Sequence, residues 1–135
     1  MGYTIQEIEG IGPTYGEKLK AVGITNTNHF LKLCCDKKGR MAIAEKSGID
    51  ESKLLKWANM ADLMRIKGVA RQYSELLEGA GVDTVKELRT RNAENLTEAM
   101  QKCNAEKKLC KVPPKLDEVT KWIDQAKEME PTITH

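Results

Sequence analysis

One stretch of this chain occurs twice. Residues 8–24 read IEGIGPTYGEKLKAVGI, and residues 66–82 read IKGVARQYSELLEGAGV. At a constant offset of 58 residues the identical pairs are Ile8 and Ile66, Gly10 and Gly68, Tyr15 and Tyr73, Glu17 and Glu75, Leu19 and Leu77, and Gly23 and Gly81. Ile11 and Val69, Ile24 and Val82, and Phe30 and Leu88 are conservative pairs in the same frame. Self-similarity at a fixed offset means two copies of one supersecondary unit, which constrains the fold more than any single residue does.

The repeated segment has a physical logic. Two glycines, Gly10 and Gly12, flank one apolar residue, Ile11, and allow a tight backbone turn. Pro13 suits the first turn of a following helix, where a missing amide proton is harmless. Leu19 and Val22 supply an apolar stripe, and Gly23 stands where a helix ends in a left-handed glycine. Thr4 and Glu7 are spaced as a capping box for a preceding helix. The expectation is helix, two-glycine hairpin, helix.

This pattern resembles the helix-hairpin-helix motif, with Ile8, Gly10, Ile11, Gly12, Leu19, Gly23 and Ile24 at its positions. The chain as a whole, over nearly all of residues 4–129, resembles a bacterial family known only as a domain of unknown function with tandem helix-hairpin-helix units. The likeness is carried by Trp57-Ala-Asn-Met-Ala-Asp-Leu-Met-Arg-Ile-Lys-Gly68, Gly81-Val-Asp-Thr-Val-Lys-Glu-Leu88 and Trp122-Ile-Asp-Gln-Ala-Lys127. It implies a fold and leaves the function open.

The rest of the sequence is expected to be nearly all helix. Thr25 or Asn26 can cap a short helix through Phe30 and Leu33; Asp36–Gly39 reads as a turn; Met41–Lys46 reads as a helix closed by Gly48. From Asp50, the residues Leu54, Trp57, Ala61 and Met64 recur at helical spacing, and Val119, Trp122, Ala126 and Met129 mirror them. Trp57 and Trp122 are therefore expected to be equivalent core anchors. Lys111-Val-Pro-Pro114 interrupts the pattern. The expected architecture is all-α: a first unit over residues 1–62 and a second over 50–130, fused through a shared central helix at about 51–66. Residues 131–135 are expected to be a loose tail.

Composition narrows the function. The 135 residues carry 22 Lys+Arg against 20 Asp+Glu, a net charge of +2, which is not that of a strongly basic nucleic-acid packager. There is no apolar run of the roughly 20 residues that span a bilayer, no basic-then-apolar leader in MGYTIQEIEG, and Gln6 breaks a myristoylation pattern. A cytoplasmic protein without a membrane partner is the expectation. Cys34, Cys35, Cys103 and Cys110 form no C-x-x-C pair and have no histidine at zinc spacing, so they read as free thiols rather than metal ligands. His29 and His135 lack a nucleophile-base set, and no phosphate loop or dinucleotide fingerprint appears. The chain is read as no enzyme, with no small-molecule substrate.

The helix-hairpin-helix resemblance implies DNA binding without base reading. Hairpin amides at the N-terminus of the second helix would donate to phosphate oxygens, aided by the helix dipole. Carried onto this chain, the candidates are Gly10, Ile11, Gly12 and Thr14, with Lys18 and Lys20 one turn on. In the second copy they are Arg65, Lys67, Gly68 and Arg71. The resemblance also implies a possible monovalent cation at hairpin carbonyls, here about Gln6, Ile8 and Ile11; no other cofactor is expected. Each copy departs from the ideal. The first is surrounded by Glu7, Glu9 and Glu17, and the second has Ala70 where the second glycine belongs, with a Cβ expected to block positive φ or close backbone approach. Lys37, Lys38 and Arg40 are the basic cluster that would extend a phosphate surface if the fold sets it beside the first hairpin. The alternative function is a protein-interaction adaptor whose hairpins are only architectural.

Overall fold

In the computed structural model, which describes residues 3–134, the chain is all-α, with no strand among the described residues. A short 3-10 helix, Ile5–Glu7, comes first. It is followed by α1 (Pro13–Ala21), α2 (Thr27–Cys34), α3 (Lys37–Ser47) and α4 (Glu51–Leu63), then α5 (Arg71–Gly79), α6 (Val85–Leu88), α7 (Ala93–Lys107) and α8 (Leu116–Lys127). Among the described residues no helix is long and apolar enough to cross a membrane. The chain divides into two compact units. One holds residues up to Asp62 together with those from Thr132 onward, and the other is Leu63–Pro131.

In the first unit each helix starts and stops on a local signal. Pro13 occupies the first turn of α1. Beyond its end Gly23 turns left-handed at φ 90°, and the Ile24 amide donates back to Leu19 O at 2.9 Å. Asn26 caps α2 by accepting from His29 N at 2.8 Å, and Asp36 caps α3 by accepting from Gly39 N at 2.7 Å. Gly39 lies so close to Leu33 that a Cβ would collide with its carbonyl oxygen, which lets α3 turn tightly away from α2. Ile5, Ile8, Leu19, Ile24, Phe30 and Trp57 fill the core.

Three local expectations are corrected here. Thr4 makes no side-chain cap, because the segment it precedes is a single 3-10 turn rather than an α-helix. Asp36–Gly39 is the start of α3 rather than a free turn, since Asp36 supplies the cap. Arg40, grouped with the solvent-facing basic residues, is fully buried. Its guanidinium donates to Cys34 O at 3.1 Å and Thr134 O at 2.8 Å, and its Nε lies 3.5 Å from Glu51 Oε1.

That last contact bears on the C-terminal segment. Residues 132–134 are held rather than loose: Ile133 is buried and the Thr134 amide donates to Cys35 O at 2.8 Å. The final residue of the expected tail, His135, lies outside the described residues.

The second unit follows the same plan. Thr84 and Asn92 cap α6 and α7 through Glu87 N and Asn95 N. Gly81 turns at φ 94°, and the Val82 amide donates to Leu77 O at 2.9 Å. Ile66, Val69, Leu77, Val82, Leu88 and Trp122 lie in its core. This copy has a longer third helix, Ala93–Lys107 against Lys37–Ser47 in the first, and a longer loop after it. There Asn104 brackets Cys110, donating to its carbonyl and accepting from its amide, both at 3.0 Å. The helix expected over 51–66 ends at Leu63. The Ile66 amide then bonds back to Leu63 O, and both residues belong to the second core.

Candidate nucleic-acid interface

The two repeated turns, Ile8–Gly12 and Ile66–Ala70, have nearly the same geometry. In the first, the amides of Ile8 and Ile11 donate to Ile5 O and Ile8 O at 3.1 and 3.2 Å; in the second, those of Ile66 and Val69 donate to Leu63 O and Ile66 O, both at 3.1 Å. The glycine at the apex is left-handed in both, Gly10 at φ 96° and Gly68 at φ 94°. A conserved aromatic contact sits beneath each turn. Tyr15 lies edge-on to Trp57 with centroids 5.1 Å apart, and Tyr73 lies 5.2 Å from Trp122 at an interplanar angle of 50°.

The second position of the glycine pair behaves differently. Gly12 caps α1 at φ −88°, ψ −174°, and Ala70 caps α5 at φ −113°, ψ −162°. Both are extended backbone that any residue adopts. The expectation that the Ala70 Cβ blocks a positive φ is therefore corrected: only the first glycine of each pair adopts one. A Cβ built on Gly12 meets nothing within 4 Å, so nothing inside the chain requires a glycine there.

Neither cap supplies a side-chain hydrogen bond. The first-turn amides of α1 and α5 therefore keep donors that the helix itself does not use. Around α1, Thr14, Lys18 and Lys20 are exposed, as are Glu7 and Glu17. Lys18 and Lys20 are about 200° apart around the helix at 3.6 residues per turn. Lys18 Nζ stands 5.9 Å from the Tyr15 ring centroid, whereas Lys20 lines a depression of about 200 Å³ with Ile5, Gln6, Gly16, Glu17 and Thr25. Thus Thr14 and Lys18, four residues apart, share a face of α1, and Lys20 faces elsewhere.

The second turn uses part of its equipment internally. The Gln125 side chain accepts from Lys67 N at 3.0 Å and donates to Lys67 O at 3.3 Å. Arg65 donates to Glu130 O at 3.1 Å. The side chains of Lys67 and Arg71 are exposed. Sequence reading missed Gln125, because glutamine inside a helix carries no motif.

Other candidate chemistry is quiet. Of the carbonyls considered for a monovalent cation, that of Ile8 accepts the Ile11 amide at 3.2 Å. Among the described residues no three metal-ligating side chains cluster, and the four cysteines are free. Burial pushes the Cys34 thiol up to about 12, although Arg40 nearby pulls it down. His29 Nδ1 is engaged by the Thr25 hydroxyl at 3.1 Å.

Against known proteins, residues 9–129 match the family described as "Domain of unknown function (DUF4332)". No curated protein and no solved structure matches the chain.

Proposed function

The chain belongs to the DUF4332 family, and from its turn geometry we propose that it is a non-catalytic helix-hairpin-helix module that binds DNA through backbone phosphates without reading bases. The observation that carries this reading is the first hairpin. Gly10 reverses the chain at φ 96°, and Gly12 enters α1 uncapped with open space at its Cα. Backbone amides and the positive end of a helix dipole then face outward together, which is the arrangement that favours a phosphate. Gly10, Ile11 and Gly12 shape the hairpin, Thr14 offers a first-turn amide, and Lys18 adds charge on the same face. The second hairpin, with Arg65, Lys67, Gly68 and Arg71, is auxiliary. Such contacts fix orientation on a duplex but carry no sequence information.

The test is fluorescence anisotropy with several unrelated duplexes over a range of salt. Affinity is expected to be weak and similar for all of them, with a log–log salt slope of about −2 to −4 for 2–4 neutralised phosphates. Gly12→Val removes binding at hairpin one while the far-UV circular dichroism stays unchanged, since the added side chain meets nothing in the chain. A folded wild type that binds no DNA at low salt overturns the reading. The adaptor alternative is then the better account.

A further inference from the structure

Two ammonium groups converge on one aromatic ring in the first unit. Lys18 Nζ, from α1, and Lys53 Nζ, from the first turn of α4, each lie 5.9 Å from the Tyr15 ring centroid. The ring is itself held edge-on against the buried Trp57. An exposed lysine ordinarily spreads its charge over many rotamers, and ordering it costs side-chain entropy. The ring attracts both cations and narrows where each charge stands. Lys53 is far from the hairpin in sequence and belongs to no motif, so only the fold brings it there.

The second unit lacks this constellation, although the aromatic pair is retained. The residue equivalent to Lys18 at the 58-residue offset is Leu76. Counting from the paired tryptophans, the residue equivalent to Lys53 is Glu118, a reversal of charge. Glu118 accepts from the Lys115 amide at 3.2 Å at the start of α8, and its charge acts on Tyr73, whose hydroxyl is pushed up first by burial and then by Glu118. Cationic and anionic versions of one site thus stand on the two copies.

We propose that Lys53 and Lys18, gathered at Tyr15, form a second phosphate contact beside hairpin one, so that the first unit holds two neighbouring DNA phosphates while the second unit, with the buried Leu76 and the anionic Glu118 in their places, lacks that contact. The proposal rests on the DNA-binding reading above and assigns that binding mainly to the first unit. Lys53 takes no part in the hairpin itself, and its role is to neutralise a phosphate that the hairpin amides do not reach.

The experiment compares Lys53→Gln, Lys53→Glu and Glu118→Lys with Lys102→Gln, an exposed lysine on α7 that serves as a charge-matched control. Lys53→Gln is expected to weaken binding equally on unrelated duplexes and to reduce the salt slope by about 1, whereas Lys102→Gln leaves the slope unchanged. Lys53→Glu weakens binding further, and Glu118→Lys strengthens it. Thermal melts establish that each variant is folded. If the wild type binds and Gly12→Val abolishes binding but Lys53→Gln behaves like Lys102→Gln, this proposal falls and the hairpin reading stands. If the wild type binds no DNA, both fall.

Discussion

Gly10 lies so close to Trp57 that a Cβ on it would stand 3.1 Å from the indole Nε1, and Gly68 repeats the relationship with Trp122 Nε1 at 3.0 Å. Both glycines are also left-handed, at φ 96° and 94°. Glycine is therefore required twice over at each apex, by backbone conformation and by the indole beneath it. The turn and the last long helix of its own unit are fitted to each other through this contact.

Gly10→Ala or Gly68→Ala is expected to cost about 1–3 kcal/mol, the usual scale for a side chain held in a sparsely populated backbone region. Gly12→Ala, in extended backbone with open space, stays within about 0.5 kcal/mol of wild type. Urea denaturation of the three variants decides the point. Equal losses at Gly10 and Gly12 would contradict the geometry.

Trp57 and Trp122 are 4% and 3% accessible, and each packs against a tyrosine. Truncating either to alanine is expected to destabilise by about 3–5 kcal/mol. The emission spectrum offers an independent check, with the native protein blue-shifted relative to the urea-unfolded chain. A native spectrum like that of the unfolded chain would argue against burial of the indoles.

Arg40→Met removes the donors to the Cys34 and Thr134 carbonyls. The Cys34 carbonyl, left buried without a donor, costs about 1–3 kcal/mol, and the half-buried Thr134 carbonyl less. A chain ending at Pro131 loses the Thr134 partner and the buried Ile133 as well. Because both changes break the same bond, the double variant should be less destabilised than the sum of the two. Strict additivity would show that Arg40 and the C-terminal segment act independently.

The Cys34 thiol, pushed up to about 12 by burial from an ordinary value of 9.0, is neutral in the fold far above the pH at which it ionises in the unfolded chain. Its contribution to stability is complete below about pH 9 and is lost as pH rises towards 12. Between those limits the melting temperature of wild type should fall more steeply than that of Cys34→Ala. At pH 8, iodoacetamide should modify the half-exposed Cys35 while sparing Cys34. Alkylation of Cys34 at the rate of Cys35 would contradict the burial.

Much of the fold was legible because its signals are local. Gly23, Gly48 and Gly81 end helices as their positions suggest, and Asn26 and Asn92 cap helices that their sequences announce. What stayed hidden depends on contacts distant in sequence. Arg40 reads as one more basic residue beside Lys37 and Lys38 until carbonyls 6 and 94 residues away are seen to accept from it. Ala70 looked like a defect because the pattern treats both glycines alike, whereas only the first adopts positive φ. Within the candidate site the hairpin residues could be read from their motif. Lys53 could not, since nothing in the sequence indicates that α4 brings it to Tyr15.

The position of residues 132–134 bears on the order in which the molecule can be completed. The first unit includes them, although they follow its other residues by about 70 positions. At 5–20 residues per second, the ribosome takes roughly 4–14 seconds to supply that stretch. Throughout that interval the emerging N-terminal unit holds Arg40 without the Thr134 carbonyl that will accept from it. The unit synthesised first is thus the last to be closed, and a nascent chain stalled before Thr132 holds Arg40 with Cys34 O and Glu51 but without its third acceptor.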